Sequence, residues 1–161
     1  MQGVIVQAST LVQVDIERAR QWFLDLETHP ERYRFDSHAG FAFREGGFGE
    51  VGARFETWET FCGLRLNLRF ELTAVEHASF RFRLTRPQLP VWGAFVLCRA
   101  VGSTTDLCLE IGATRPAGAW FLKLRPIRHA VRRQIRGEVE HIRASMEAVC
   151  GGERDSNHAR L

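Results

Sequence analysis

The segment LDLETHPERYRF, at residues 24–35, gathers side chains that could perform acid–base chemistry. A histidine, two glutamates, a tyrosine and two arginines lie within a dozen residues. No G-x-S-x-G or H-E-x-x-H motif accompanies His29, so neither a serine nucleophile nor a zinc site is indicated. Thr28 and Glu31 have the spacing of a capping box instead. We therefore interpret the segment as mainly a helix junction, with Tyr33 suited to a pocket wall because its ring carries a polar tip.

A second candidate for acid–base chemistry is Glu59, in the segment RFETWETF. The next segment, LRLNLRFELTA, alternates leucine and phenylalanine with polar residues, which is typical of a strand with one buried face. If residues 62–63 form a two-residue turn, Glu59 lies opposite Leu66 and points toward the buried face. A three-residue turn would point Trp58 inward instead. We favour the two-residue turn because it also buries Phe55 and Phe61.

Burial would allow the carboxyl group of Glu59 to take part in proton transfer near neutral pH. An apolar environment disfavours the charged form, so the pKa of Glu59 should rise toward neutral pH. Such a group can donate or accept a proton. We predict Glu59 as a general acid or base, with Tyr33 orienting the substrate. The alternative is that Glu59 lies at a pocket rim, solvated or paired with an arginine.

Length and composition indicate an ordinary globular domain. The chain has 161 residues, of which 45% are hydrophobic and 25% charged. The net charge of +3 is too small to indicate nucleic-acid binding. No apolar run approaches the ~18 residues of a membrane span, and the N-terminus lacks the basic and apolar regions of a signal peptide. We therefore expect a cytoplasmic protein.

Two patterns that could bind a metal or a phosphate lack the required context. The four cysteines show no C-x-x-C pairing and lie in or beside apolar segments, so free thiols are expected. The segment GGFGEVG, at residues 46–52, contains G-x-G-x-x-G, but a strand rather than a helix follows it. We interpret it as a glycine-rich connection that needs positive φ. No metal and no cofactor is expected.

The periodicity of the remaining segments predicts the order of helices and strands. Residues 4–14 alternate as a strand, and a helical stripe begins after Asp15, a predicted N-cap. About six further strands follow at hairpin spacing, as in an antiparallel meander. A long helix is predicted over residues 120–149, in which Pro126 marks a kink or the true start. Two glycines at residues 151–152 are expected to end this helix.

The register of the last predicted hairpin depends on the length of its loop. If Val101 lies opposite Asp106, the inward residues of the preceding strand include Cys98 and Trp92. Cys98 and Cys108 would then lie on opposite faces of the sheet, which argues against a disulfide between them.

Basic residues decorate the polar side of the long helix and the turn before it. They are Lys123, Arg125, Arg128, Arg132, Arg133, Arg136 and Arg143. A solvated helix face is the simplest interpretation, and contact with an anionic membrane surface or an acidic partner is the functional alternative. Nucleic acid is not expected, because no aromatic residues interleave with these charges.

The order of these elements resembles the START-like helix-grip superfamily, which includes the polyketide cyclase/dehydrase and lipid-transport group. Three segments carry the resemblance, namely VQVDIERARQWFLDLETHPERY, REGGFGEVGARFE and FLKLRPIRHAVRRQIRGEVEHIRASMEAV. The resemblance implies an α+β fold, in which a curved antiparallel sheet of about seven strands wraps around a long C-terminal helix. It also implies two short helices after the first strand, and a cavity for a hydrophobic molecule. No catalytic residue follows from it.

Two functions are compatible with this resemblance. The first is binding of a lipid, polyketide or aromatic compound in a cavity between the sheet and the C-terminal helix. The alternative is a metal-independent cyclase, dehydratase or isomerase that uses acid–base groups in the same cavity. We predict one ligand-binding domain over residues 1–150, a disordered tail over residues 151–161, and a monomer or homodimer. The predicted cavity walls are Tyr33, Phe41, Phe55, Thr57, Leu66, Phe70, Phe82, Trp92, Phe121 and Leu124.

Overall fold

The computed structural model describes residues 3–35 and 38–158, with side chains as far as residue 151. The elements are β1 (Val4–Val12), α1 (Ile16–Leu24), two 3₁₀ helices (Asp25–Glu27 and Pro30–Tyr33), β2 (His38–Glu45), β3 (Arg54–Phe61), β4 (Leu64–Glu76), β5 (Ser79–Arg86), β6 (Val91–Arg99), β7 (Thr105–Ala113), α2 (Pro116–Lys123) and α3 (Arg125–His158). Within these ranges no helix is long and apolar enough to cross a membrane.

Seven strands of the described chain form one antiparallel sheet, in the order β1-β7-β6-β5-β4-β3-β2. Each strand from β2 to β6 pairs with the next strand along the chain, and β1 pairs with β7. The long helix α3 packs against β1 and β7. Its buried stripe contains Ile135, Val139, Ile142 and Met146. The inner face of the sheet is the face toward α3, and this architecture confirms the predicted α+β fold.

The helix α1 packs against both the sheet and α3. Asp15 caps its N-terminus, accepting a hydrogen bond from the backbone N–H of Arg18 at 3.1 Å. Trp22 lies on its buried face and donates from Nε1 to Ser145 Oγ at 3.2 Å. Phe23, one position on, packs into the aromatic core of the sheet. The apolar stripe predicted from the sequence therefore faces the core, as helical periodicity requires.

The turn between β3 and β4 has the two-residue form that the sequence predicts. Cys62 and Gly63 have φ of 50° and 79°, and positive φ at both positions is the requirement of a type I′ turn. Glu59 consequently lies opposite Leu66 and points to the inner face. Trp58 points to the outer face, where it is 39% exposed.

The predicted register of the β6–β7 hairpin is wrong. Arg99 pairs with Thr105, so the loop has one residue more than expected. Because side chains alternate between faces, this difference turns Phe95 and Leu97 inward and Trp92 outward. The inward pair is almost fully buried, which the predicted register would not achieve. Trp92 is buried on the outer face, where the guanidinium carbon of Arg81 lies 5.0 Å from its ring centre.

The same correction changes the relation between two cysteines. Cys98 lies opposite Asp106, and Cys108 lies opposite Val96, so both thiols are on the outer face rather than on opposite faces. Both are free thiols. Cys98 and Cys108 are diagonal neighbours rather than a directly opposed pair. That position separates their Cβ atoms by more than a disulfide spans.

The glycine-rich segment between β2 and β3 is a connection, as expected. Gly46 and Gly52 have φ of 67° and 89°, a region that favours glycine. Phe48 lies between them and is fully buried against Phe23 and Phe80. The segment therefore positions a core aromatic residue.

The prediction that Gly151 and Gly152 end the last helix is wrong. The helix α3 continues to His158. Glycine lowers helix stability by about 1 kcal/mol per residue, which does not by itself terminate a long helix. Pro126 is the second residue of α3 and marks its start. The domain limit at residue 150 stays a prediction, and residues 159–161 of the expected tail lie outside the described residues.

Candidate functional site

A cavity of about 270 Å³ lies between the inner face of the sheet and helices α2 and α3. Residues of β2 to β7 form most of its wall, and they are mainly phenylalanine, leucine and isoleucine. Phenylalanine rings contact one another across the sheet, as between Phe55 and Phe70, whose centres are 5.0 Å apart. Such a concave apolar wall is the usual form of a small-molecule site.

Eight of the ten predicted wall residues line the cavity. They are Tyr33, Phe41, Phe55, Thr57, Leu66, Phe70, Phe82 and Phe121. Trp92 does not, because the β6–β7 register places it on the outer face. Leu124 lies at the end of α2, where its backbone N–H donates to Phe121, and its side chain is outside the lining.

Polar side chains converge at one end of this apolar cavity. We call them the polar cluster: Tyr33, His38, Thr57, Glu59 and Glu138. The hydroxyl of Tyr33 donates to Glu138 Oε1, and that of Thr57 donates to Glu59 Oε1 at 2.6 Å. His38 Nε2 lies 3.5 Å from Glu59 Oε1 and 3.7 Å from Glu138 Oε2. One imidazole therefore stands between two carboxyl groups.

Burial alters the ionisation of all three of these groups. It raises the pKa of Glu59 to about 7, although the hydrogen bond from Thr57 acts in the opposite direction. Burial also raises the pKa of Glu138 to about 8. For His38, burial and the nearby His141 lower the pKa to about 3. His38 Nε2 lies within 4 Å of a carboxyl oxygen of each glutamate. With pKa values of about 7 and about 8, the two carboxyl groups can donate or accept protons near neutral pH.

Separate elements bring the polar cluster together. Glu59 points inward because of the type I′ turn, and His38 is its partner across the β2–β3 ladder. Glu138 belongs to the buried stripe of α3, between Ile135 and Ile142. Tyr33 ends the second 3₁₀ helix and is 2% exposed.

An aromatic ring fixes the position of His38. Phe35 stacks on the imidazole with ring centres 4.4 Å apart, and on the ring of His141 at 4.5 Å. Neither ring nitrogen of His38 has a hydrogen-bond partner among the described residues. A buried imidazole without a partner inside a cavity is available to a bound molecule.

The segment LDLETHPERYRF, at residues 24–35, is divided between the protein surface and the polar cluster. His29 is about half exposed and pairs with Glu31 at 3.1 Å, away from the cavity. The predicted capping box is not formed, because the hydroxyl of Thr28 donates to the carbonyl oxygen of Asp25. Tyr33 alone of this group reaches the polar cluster.

Two members of the polar cluster, His38 and Glu138, were not predicted from the sequence. A signal for Glu138 exists, because it stands three residues after Ile135 and four before Ile142 and so falls on the apolar stripe. His38 has a weaker signal, since its position depends on the β2–β3 register. In residues 3–35 and 38–158, no group of three or more histidine, cysteine, aspartate or glutamate residues is arranged to hold a metal ion.

Comparison with solved structures identifies the fold. KanY, solved by NMR in solution, matches with a TM-score of 0.70 and 14% identity, over 90% of this chain and 99% of KanY. Ara h 8.0201 matches with a TM-score of 0.63 and 12% identity, over 91% and 99% of the two chains. The di-domain ARO/CYC BexL, from the BE-7585A biosynthetic pathway, matches with a TM-score of 0.63 and 19% identity. That match covers 90% of this chain and 47% of BexL.

Neither the comparison with family models nor that with curated proteins gave a match. At identities below 20%, the structural matches speak for the fold and not for the function. Together with the seven-stranded sheet and the long C-terminal helix, they establish that the chain has the helix-grip fold.

Proposed function

We propose that the protein binds a hydrophobic small molecule, a lipid, polyketide or aromatic compound, in the cavity between the sheet and α3. The observation that carries the proposal is a cavity of about 270 Å³ with an apolar wall and a polar cluster at one end. A ligand that buries about 200 Å² of apolar surface would gain about 5 kcal/mol before ordering costs are subtracted. The polar cluster would then orient the ligand by hydrogen bonds.

Native mass spectrometry of protein purified from its own host tests this proposal directly. We expect a co-purified small molecule that leaves the protein on denaturation. A complementary test uses Nile red, an uncharged dye whose emission increases in apolar surroundings. Saturable binding of the dye is expected, and a folded protein that binds no dye and carries no small molecule would contradict the proposal.

A matched pair of variants shows whether the dye enters the cavity. Leu66 lines the cavity and is 36% exposed, so a tryptophan there would occupy the entrance. Leu64 lies two residues away on the same strand and outside the lining. We expect Leu66→Trp to weaken Nile red binding at least about tenfold, and Leu64→Trp to leave it unchanged. Equal effects of the two variants would contradict binding in the cavity.

A second candidate function is acid–base catalysis in the same cavity. It is supported by two carboxyl groups whose pKa values lie near neutral, Glu59 and Glu138, beside the apolar wall. In this candidate, Glu59 is the general acid or base, and Tyr33 orients the substrate. Glu59→Gln keeps the volume of the side chain and removes its titration. Unchanged turnover of an identified substrate in this variant, with binding intact, would exclude the role of Glu59.

The cavity entrance supports a further part of the proposal, contact with an anionic membrane surface. Phe121 and Leu89 line the cavity and are each 40% exposed, and Trp120 beside them is 68% exposed. Residues 112–137 contain seven lysine and arginine residues and no acidic residue. Aromatic residues next to basic ones favour the interface of a membrane with negatively charged lipids. Such contact would place the entrance of the cavity at the lipid surface.

A further inference from the structure

The charge balance of the cavity is unusual for a site that binds hydrophobic molecules. Glu59 and Glu138 both face the cavity, and their side chains are 12% and 11% exposed. None of the described residues that line the cavity is lysine or arginine. Two acidic groups therefore share an apolar enclosure that supplies no permanent positive charge.

The neighbours of the two carboxyl groups come from β2, β3, the second 3₁₀ helix and α3, and they are uncharged. Thr57 on β3 donates to Glu59, and Tyr33 on the 3₁₀ helix donates to Glu138. His38 on β2 has a lowered pKa and stays neutral near pH 7.

The other polar neighbours on α3 add no positive charge beside the two carboxyl groups. The amide nitrogen of Gln134 is buried without a partner among the described residues. His141 lies behind Phe35 and pairs through Nε2 with the backbone oxygen of Arg32. The side chain of Arg32 pairs with Asp25.

We propose that this cavity selects hydrophobic ligands with a protonated amine as their polar group, and rejects equivalent ligands with a carboxylate. This inference rests on the proposed function, because it names the class of molecule that the cavity takes. Each carboxyl group of the pair has one oxygen that is not engaged by Thr57 or Tyr33. An ammonium group has three donors and could reach both oxygens, as well as the free imidazole of His38.

A ligand with a carboxylate should bind poorly in this cavity. It would leave water to lie beside two acidic groups with no cation to balance its charge. It could enter only if both glutamates stayed protonated. An uncharged hydroxyl ligand should fall between the two, because it needs no counter-charge and gains no ion pair.

The amine ligand should also show a characteristic pH dependence. The pKa values of Glu59 and Glu138 are about 7 and about 8, so both groups are largely protonated at pH 6. Binding of an ammonium group favours the ionised carboxylate and therefore releases a proton. Affinity for the amine should rise from about pH 6 to about pH 8, whereas affinity for a carboxylate ligand should fall.

The test uses three probes that share a phenyl ring on a four-carbon chain and differ only at the terminal carbon and its polar group: 4-phenylbutylamine, 4-phenylbutan-1-ol and 4-phenylbutanoate. Each probe competes with Nile red for the full-length protein at about pH 6 and about pH 8. At the higher pH we expect the amine to displace the dye at a concentration at least about tenfold lower than the carboxylate. The alcohol should lie between them.

Variants assign the selectivity to the two glutamates. In the double variant E59Q/E138Q, the preference for the amine should fall to less than about twofold, and its pH dependence should disappear. E140Q is the matched control, since Glu140 is an exposed residue on the same helix. Thermal unfolding and Nile red binding show that each variant remains folded.

The outcomes separate this inference from the proposed function. Displacement by the carboxylate at a concentration equal to or lower than that of the amine would overturn the inference alone. So would a preference that survives in E59Q/E138Q, or a dye that none of the three probes displaces. Failure of the wild-type protein to bind Nile red at all would overturn the proposed function and the inference with it.

Discussion

Glu59 and His38 face each other across the β2–β3 ladder, with Glu59 Oε1 3.5 Å from His38 Nε2. Both side chains are almost fully buried, and neither forms a strong ion pair with the other. Two titratable groups thus occupy the inner face of a sheet that otherwise presents aromatic and aliphatic side chains. Burial disfavours the charged forms of both side chains, so the free energy of unfolding should depend on pH.

The first prediction concerns that pH dependence. Burial raises the pKa of Glu59 in the folded protein from 4.5 to about 7, which corresponds to about 3 kcal/mol. The folded state holds the proton of Glu59 more tightly than the unfolded state does. This preference contributes fully to the free energy of unfolding below about pH 4.5, and the contribution is lost as the pH rises through about 7. Urea unfolding should therefore show a falling free energy of unfolding between these pH values.

Glu59→Gln should make this fall shallower and raise the free energy of unfolding at pH 8 by about 2 kcal/mol, since glutamine does not ionise. Part of the dependence should remain, because burial also raises the pKa of Glu138. E140Q, on the exposed side of α3, serves as the control and should retain the wild-type slope. A wild-type slope in Glu59→Gln would show that Glu59 is ionised and solvated, as the alternative interpretation of the sequence has it.

The second prediction concerns the hydrogen bond between Tyr33 and Glu138. Tyr33→Phe removes a buried donor, and we expect the free energy of unfolding to fall by about 1 to 2 kcal/mol. Urea unfolding of Tyr33→Phe, Glu138→Leu and the double variant forms a double-mutant cycle, because leucine cannot accept the hydrogen bond whereas the amide oxygen of glutamine could. A coupling energy of about 1 kcal/mol is expected, and additivity of the two substitutions would show that the hydrogen bond does not contribute.

The third prediction concerns the space beside Phe82. A Cβ atom on Gly93 would lie 2.4 Å from one carbon of the Phe82 ring, so Gly93→Ala must displace this cavity-lining ring. We expect a loss of about 1 to 3 kcal/mol in the free energy of unfolding, together with weaker Nile red binding. Gly137→Ala is the matched control, because open space surrounds this position in α3.

For the control, an increase of about 0.5 to 1 kcal/mol is expected, because alanine favours the helix over glycine. Nile red binding should not change in Gly137→Ala. If Gly93→Ala kept wild-type stability and dye binding, Phe82 would not form a tight part of the cavity wall.

The fourth prediction concerns membrane contact at the cavity entrance. The wild-type protein should sediment with vesicles that contain phosphatidylglycerol and not with vesicles of phosphatidylcholine alone. Added salt should weaken this association because it screens the basic residues. Trp120→Ala should reduce it several-fold, since Trp120 is 68% exposed beside the entrance.

Val101→Ala provides the control for this experiment. Val101 is 93% exposed and lies in the β6–β7 loop, outside the cavity lining. Its substitution should not alter vesicle binding. Equal losses in both variants, or equal binding to neutral and anionic vesicles, would contradict a specific contact at the entrance.

Local chemistry made the β3–β4 hairpin predictable. A glycine follows Cys62, and the alternation of apolar residues in β4 marks its buried face without ambiguity. Together they favour the register in which Glu59 points inward, because a two-residue turn leaves one register. The element order and the apolar stripe of α3 were predictable for the same reason, since periodicity depends on neighbours along the chain.

The β6–β7 hairpin shows where such reasoning fails. Its loop contains five residues, and neighbouring loop lengths have no distinguishing turn chemistry in this segment. A change of one residue inverts every side chain of the strand, so Trp92 was assigned to the wrong face. Packing of Phe95 and Leu97 against α1 and the other strands decides the register, and that packing involves residues remote in sequence.

The polar cluster depends still more on tertiary structure. The sequence by itself favoured a pocket position for Tyr33 and an inward direction for Glu59, because each prediction follows from a local pattern. It did not determine that His38 and Glu138 meet them, since these residues come from the start of β2 and the middle of α3. Only the packing of α3 across the sheet brings Glu138 within 3.7 Å of His38, because no local interaction connects positions a hundred residues apart in the chain.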